Sequence, residues 1–88
     1  MNYLLFSYPN CPGCEELKKC LSETDFGGQE YNLVLKEGKL KIRDFLSVIK
    51  RDDKGAIIIP TLALQEEREV VAVLNNRKEL EDWLRSKA

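Results

Sequence analysis

Two cysteines three positions apart, Cys11 and Cys14, carry the chemistry this sequence most readily suggests. They close the stretch Ser7-Tyr8-Pro9-Asn10-Cys11-Pro12-Gly13-Cys14, which leads from the apolar residues Leu4, Leu5 and Phe6 into a helix-like run, Glu15 to Glu23. A helix N-terminus carries unpaired N–H groups and a partial positive charge, so it stabilises a thiolate. A cysteine placed there has its pKa lowered from about 8.5 toward roughly 3.5–7.5. Pro12 suits the first helical position, because its missing N–H is not needed there and its φ is already helical. Gly13 is expected to leave the space above the sulfurs open. One helical turn separates the two sulfurs, a spacing that permits a disulfide. Cys11, outside the helix, is the expected nucleophile. Cys14, one turn inside and partly shielded, is the expected resolving thiol. Glu15 and Glu16 oppose the helix effect, since nearby carboxylates raise a thiol pKa. No Lys or Arg lies between Ser7 and Glu16 to offset them.

The competing use of such a pair is half of a metal site. A closed zinc site needs four ligands; only Cys20 remains, and the chain has no histidine. Redox chemistry is therefore favoured over metal, and no metal ligand is assigned. Cys20 falls on or near the Leu17–Leu21 face and reads as a small buried thiol. Pro60 ends the run Ile57-Ile58-Ile59 and opens a strand. A trans proline there is the ordinary reading, since only about 5–6% of X–Pro bonds are cis. A cis Ile59–Pro60 bond would instead bend the chain beside the cysteine turn and free the Ile59 backbone to pair with a peptide-like substrate. Tyr8 either flanks a substrate or covers the end of the sheet.

The elements that must position this turn follow from periodicity. Tyr3–Ser7 is a short apolar run and reads as a buried strand. A helix follows from Pro12 to about Glu23, and Asp25-Phe26-Gly27-Gly28 is expected to end it, because paired glycines break a helix. Glu30–Leu35 alternates, with Tyr31, Leu33 and Leu35 on one face, and reads as a second strand. Lys36–Lys39 reads as a loop. Ile42, Phe45, Leu46 and Ile49 then predict an amphipathic helix from Leu40 to about Arg51, with Gly55 near its C-cap. Thr61–Leu64 and Val70–Leu74 read as strands joined by the polar turn Gln65–Arg68, hence an antiparallel hairpin. Asn75 or Asn76 caps a final helix whose buried face is Leu80, Trp83 and Leu84. The order βαβ, α, ββα predicts a single α/β domain over residues 1–88, a four-stranded mixed sheet with helices on both faces. The cysteine turn falls at the C-terminal end of the first strand, where ligands bind in such sheets.

Composition bounds the function. With 14 basic against 15 acidic residues the net charge is −1, which leaves no basic footprint for nucleic acid. No apolar run reaches the length of a membrane span, and no secretory leader is visible. Three cysteines, two of them in the close pair, do not read as a disulfide-stapled secreted scaffold. A reducing cytoplasm and a monomer are the expectation.

Taken together, the Cys11-Pro12-Gly13-Cys14 turn after a strand, the Ile59-Pro60 step and the element order resemble the thioredoxin superfamily. Length and the Cys-Pro-x-Cys form look most like a dithiol glutaredoxin. The resemblance implies a thiol–disulfide oxidoreductase with a redox-active disulfide, Cys11 nucleophilic, Cys14 resolving, Pro12 and Gly13 supporting, and Pro60 cis. It places the substrate at Tyr8, Ile59, Pro60, Asn75 and Asn76. It implies no tightly bound cofactor, glutathione or a reductase as reductant, and a disulfide-containing protein or a glutathione mixed disulfide as partner. The chain departs from that family where glutathione is gripped. Ile57 stands where Arg or Gln is frequent, Ile58-Ile59-Pro60 replaces Thr-Val-Pro, and Leu74-Asn75-Asn76 replaces a glycine pair and acidic residues. An aromatic is usual at Gly13, and the basic residue common just before the cysteines is missing. Lys54, Arg77 and Lys78 are the remaining candidates for carboxylate contacts. Two other uses of the fold stand beside exchange: a metal or iron–sulfur cluster held through Cys11 and Cys14, and a protein-interaction module.

Overall fold

A computed structural model describes residues 1–87. The elements are β1 (Asn2–Ser7), α1 (Pro12–Ser22), β2 (Gly27–Asn32), α2 (Lys36–Ile42), β3 (Thr61–Glu66), β4 (Glu69–Leu74) and α3 (Arg77–Lys87), with one 3-10 turn, Arg43–Phe45, continuing α2. The sheet order is β2-β1-β3-β4. β1 runs parallel to β2 and antiparallel to β3, and β3 and β4 form an antiparallel hairpin. This is the thioredoxin-like α/β arrangement, a mixed four-stranded sheet between two helical layers.

Alternation along the strands explains the layers. Leu5, Leu62, Leu64 and Leu74 project to one face and meet Leu17, Cys20 and Leu21 of α1 and Leu80 of α3. Leu4, Phe6 and Ala63 project to the other and meet Ile42, Phe45 and Ile49. β1 and β3 are the two inner strands and feed both clusters, so both of their faces are apolar, as strands covered on both sides require.

Local expectations are corrected in three stretches. β2 starts at Gly27 and ends at Asn32, earlier than the predicted Glu30–Leu35. The helix does end before the paired glycines, at Ser22, but the glycines belong to β2: Gly28 pairs with Tyr3 and lies so close to it that a Cβ would collide with the Tyr3 carbonyl and ring. Leu35 is thereby left outside the strand and exposed.

The second helix starts at Lys36, within the predicted loop, and leaves α geometry after Ile42. Gly38 allows this, since its buried Cα rests on the Asn32 carbonyl with no room for a side chain. A 3-10 turn repeats every three residues, so Ile42 and Phe45 stay on one face. Phe45 then accepts from the N–H groups of Val48 and Ile49, which carries Ile49 inward and leaves Leu46 exposed. Gly55 is accordingly not a helix cap. It turns a separate loop, at φ +83°, where the Asp52 carboxylate accepts the N–H groups of Lys54 and Ala56 at 2.9 Å each.

The hairpin turn is shorter than predicted. Glu67 and Arg68 alone form it, both in the left-handed region (φ 51° and 72°) that matches a two-residue hairpin.

Candidate functional site

The site grows from the β1–α1 junction. Ser7 ends β1, and Asn10 turns the chain at φ +56°, a conformation asparagine tolerates better than most residues. Cys11 is the N-cap of α1 in extended geometry, and Pro12 is the first helical residue. The Cys11 carbonyl accepts the Glu15 N–H at 3.1 Å and starts the helical ladder. The Cys11 sulfur accepts the Cys14 N–H at 3.1 Å. It therefore occupies the place where a serine or aspartate oxygen would cap a helix, under the positive end of the dipole. Cys11 is half-buried and Cys14 is 1% exposed. Their Cα atoms are 5.2 Å apart and the sulfurs lie within disulfide-bonding distance.

The Ile59–Pro60 bond is cis and Pro60 is buried. Gly13 faces it: a Cβ on Gly13 would come to 3.3 Å from Pro60 Cδ. The absence of a side chain at Gly13 thus lets the proline ring pack close to the turn. Among the described residues the Ile59 N–H and C=O make no hydrogen bond within the chain, while the neighbours on both sides are pinned. The Ile58 N–H reaches the Lys50 carbonyl at 3.4 Å, and the Thr61 hydroxyl donates to the Ile58 carbonyl.

The pinning comes largely from Asn75. Its side chain is buried, and its Nδ2 donates to the carbonyls of Pro60 (3.0 Å) and Ile58 (3.3 Å) and to the Thr61 hydroxyl (3.2 Å). Asn75 was expected at the substrate surface; it points inward because three acceptors of one segment converge on it. Asn76 is exposed and caps α3, its Oδ1 accepting the Glu79 N–H at 2.8 Å. Glu79 returns a carboxylate oxygen to the Asn75 N–H at 2.7 Å, a box-like arrangement displaced by one residue. The tandem Asn75-Asn76 followed by Glu79 signals a helix start, but nothing local signals the inward turn of Asn75. Tyr8 is 47% exposed beside the cysteine turn.

The acidic residues after the motif are matched by cations. Glu15 meets Lys18 at 3.0 Å, Lys18 also meets Glu30 at 3.3 Å, and Glu30 accepts the buried Ser7 hydroxyl at 2.6 Å. Glu15, and to a lesser degree Glu30, hold the Lys18 ammonium above its usual range against the opposing effect of burial. Glu16 meets Arg77 at 3.1 Å, and Arg77 also faces Glu23 and Glu81. The opposition expected from Glu15 and Glu16 is weakened accordingly. Arg77 is occupied by carboxylates of its own chain, and Lys78 lies 4.0 Å from Asp82. Trp83 is half-buried against Phe26 rather than central to the core. Among the described residues no group of three or more His, Cys, Asp or Glu side chains is placed to hold a metal ion. No helix among them is long and apolar enough to cross a membrane.

No protein-family profile and no curated protein matches this chain. A solved structure described as that of a malarial protein is similar to it across 97% of this chain and 93% of that one, with a TM-score of 0.64 and 16% identity. At that identity the likeness speaks for the fold.

Proposed function

We propose that this chain is a small, glutaredoxin-like thiol–disulfide oxidoreductase. The observation that carries the reading is the Cys11 sulfur acting as helix N-cap for a Cys14 that is almost wholly buried. The cap lowers the cost of a Cys11 thiolate, and burial keeps Cys14 from competing for external disulfides. The Cys11 thiolate attacks one sulfur of a substrate disulfide. A Cys11–substrate disulfide forms, and the other substrate sulfur leaves as a thiolate that takes a proton from water. The Cys14 thiol, losing its proton, then attacks the Cys11 sulfur. The Cys11–Cys14 disulfide closes and the second substrate thiol is released. Counted from the dithiol, with the Cys11 proton lost to water on ionisation and the Cys14 proton in the second step, the protein has given up two electrons and two protons, and glutathione or a reductase restores the dithiol.

The unpaired Ile59 backbone, held between pinned neighbours, supports extended pairing with the substrate. The partner is a disulfide-bearing protein or a glutathione mixed disulfide. The unpaired buried Cys20 suits a reducing compartment such as the cytoplasm.

A trapping experiment tests the division of labour. Reduced Cys14→Ser protein mixed with a peptide disulfide should accumulate one adduct, which mass spectrometry of the digested protein locates at Cys11. An adduct at Cys20, or none at all, would overturn the reading.

A further inference from the structure

A cleft of about 300 Å³ lies beside the cysteine turn, lined by Tyr8, Leu33, Lys39, Ile42, Arg43 and Ile57. Two of its walls continue into the proposed exchange site: Tyr8 leads through Pro9-Asn10 to Cys11, and Ile57 leads to Ile59-Pro60. Its floor is apolar, with Leu33 and Ile42 buried. Its rim is cationic. Lys39 and Arg43 are exposed, and among the described residues neither has a carboxylate within ion-pair distance. Lys18 of α1 and Arg77, Lys78 and Arg85 of α3, by contrast, each meet a carboxylate, although among the described residues Lys19 and Lys87 of the same helices do not.

We propose that this cleft sets substrate choice: it takes the segment beside the reactive cysteine of a disulfide-bearing polypeptide, an apolar side chain on the floor and an acidic one against Lys39 and Arg43. Charge complementarity argues for the acid, and the cleft's size, at the lower end for ligand sites, suits a short segment. The inference rests on the exchange reading. A rim charge pair acts mainly on association and is salt-sensitive.

The test uses synthetic peptides with one cysteine activated as a 2-thiopyridyl disulfide, identical except that Glu or Lys flanks the cysteine. Attack by reduced Cys11 joins the peptide to Cys11 and expels pyridine-2-thione, which is read by absorbance. Cys14 then releases the peptide as a thiol and closes the Cys11–Cys14 disulfide. Rates are divided by those of dithiothreitol with the same peptides, which removes intrinsic differences in peptide reactivity. The acidic peptide should react about two- to tenfold faster than the basic one at low salt. The preference should vanish near roughly 1 M salt, where the screening length is about 3 Å. In Lys39→Glu/Arg43→Glu protein the order should invert. Equal normalised rates, or a preference unchanged in the double variant, would overturn the assignment. Glutathione disulfide is the other carrier of carboxylates beside a disulfide. Should it outrun the acidic peptide and lose rate in the double variant, the occupant is glutathione and the polypeptide assignment fails. A Cys11→Ser control separates the layers: thione release no faster than in that variant removes the exchange reading itself, and this proposal with it.

Discussion

Two strand-to-helix junctions share one capping plan and differ in the capping atom. At the β1–α1 junction the Cys11 sulfur accepts the N–H of the residue three positions on, at 3.1 Å. At the β4–α3 junction the Asn76 amide oxygen does the same, at 2.8 Å. Both caps satisfy one of the orphan donors at a helix start. The amide oxygen is neutral and chemically inert. The sulfur ionises, gains from the dipole when it does, and can leave the cap to form a bond. The residues before the caps differ as well. Asn10 is exposed in a left-handed turn, whereas Asn75 is buried and tied to Ile58, Pro60 and Thr61. The comparison separates roles: one junction presents a reactive atom, and the other fixes the segment that faces it.

The largest effect should come from splitting cap from nucleophile at the first junction. Cys11→Ser keeps a capping oxygen and removes the sulfur. Disulfide reduction should fall by about 10³-fold or more, while the thermal midpoint of the reduced protein stays close to wild type. Cys11→Ala should lose the same activity and a further ~1 kcal/mol of stability. Turnover in Cys11→Ser comparable to wild type would reduce the turn to a cap.

The same substitution should have opposite consequences at adjacent positions of the second junction. Asn75→Asp removes the donor that serves Ile58, Pro60 and Thr61 and puts a carboxylate against two carbonyls. A loss of about 2–4 kcal/mol is expected, seen as a lower urea midpoint. Asn75→Ala should fall at the lower end of that range and raise KM for peptide disulfides more than it lowers kcat, because the Ile59 backbone is less firmly held. Asn76→Asp should be neutral or slightly stabilising, since aspartate caps well beside the helix dipole, and Asn76→Ala should cost about 1 kcal/mol. Equal losses at both positions would remove the distinction between clamp and cap.

What could be read from the sequence follows the same division. The β1–α1 junction was legible because its signals are local: an apolar run, Pro12 at the first helical position and a helix pattern behind it. The layers were legible because period 2 and period 3.6 sort residues onto faces without knowledge of partners. The start of β2 was not, because Gly28 is needed only by its close approach to Tyr3, a contact across twenty-five positions of chain. The end of α2 was hidden because 3-10 and α turns place Ile42, Phe45 and Ile49 on nearly the same face. The inward turn of Asn75 depends on Ile58 and Pro60 arriving beside it, and the Lys39–Arg43 rim depends on where α2 begins.

The smallest effect sharpens the contrast between Cys11 and a thiol on the inner face of the same helix. Cys20 is 5% exposed and packs with Leu17 and Leu21. Burial pushes its thiol up from the ordinary value of 9.0; nearby Arg77 pulls it partly back, and Glu81 and Glu23 add to the rise. Iodoacetamide at neutral pH should therefore modify Cys11 in the reduced, folded protein and spare Cys20, as peptide mapping would read. The same shift links stability to alkaline pH. The folded chain keeps the Cys20 proton to higher pH than the unfolded chain, so its contribution is complete below the unfolded thiol's pKa and declines as pH rises past it. In the oxidised protein Cys11 and Cys14 do not titrate, and Cys20 is the free thiol. Urea titrations of oxidised wild type and Cys20→Ala should converge as pH rises from neutral through about 9. A gap that stays constant would mean that the Cys20 thiol ionises as readily in the fold as outside it, leaving the helix cap and the greater exposure of Cys11 to separate the two cysteines.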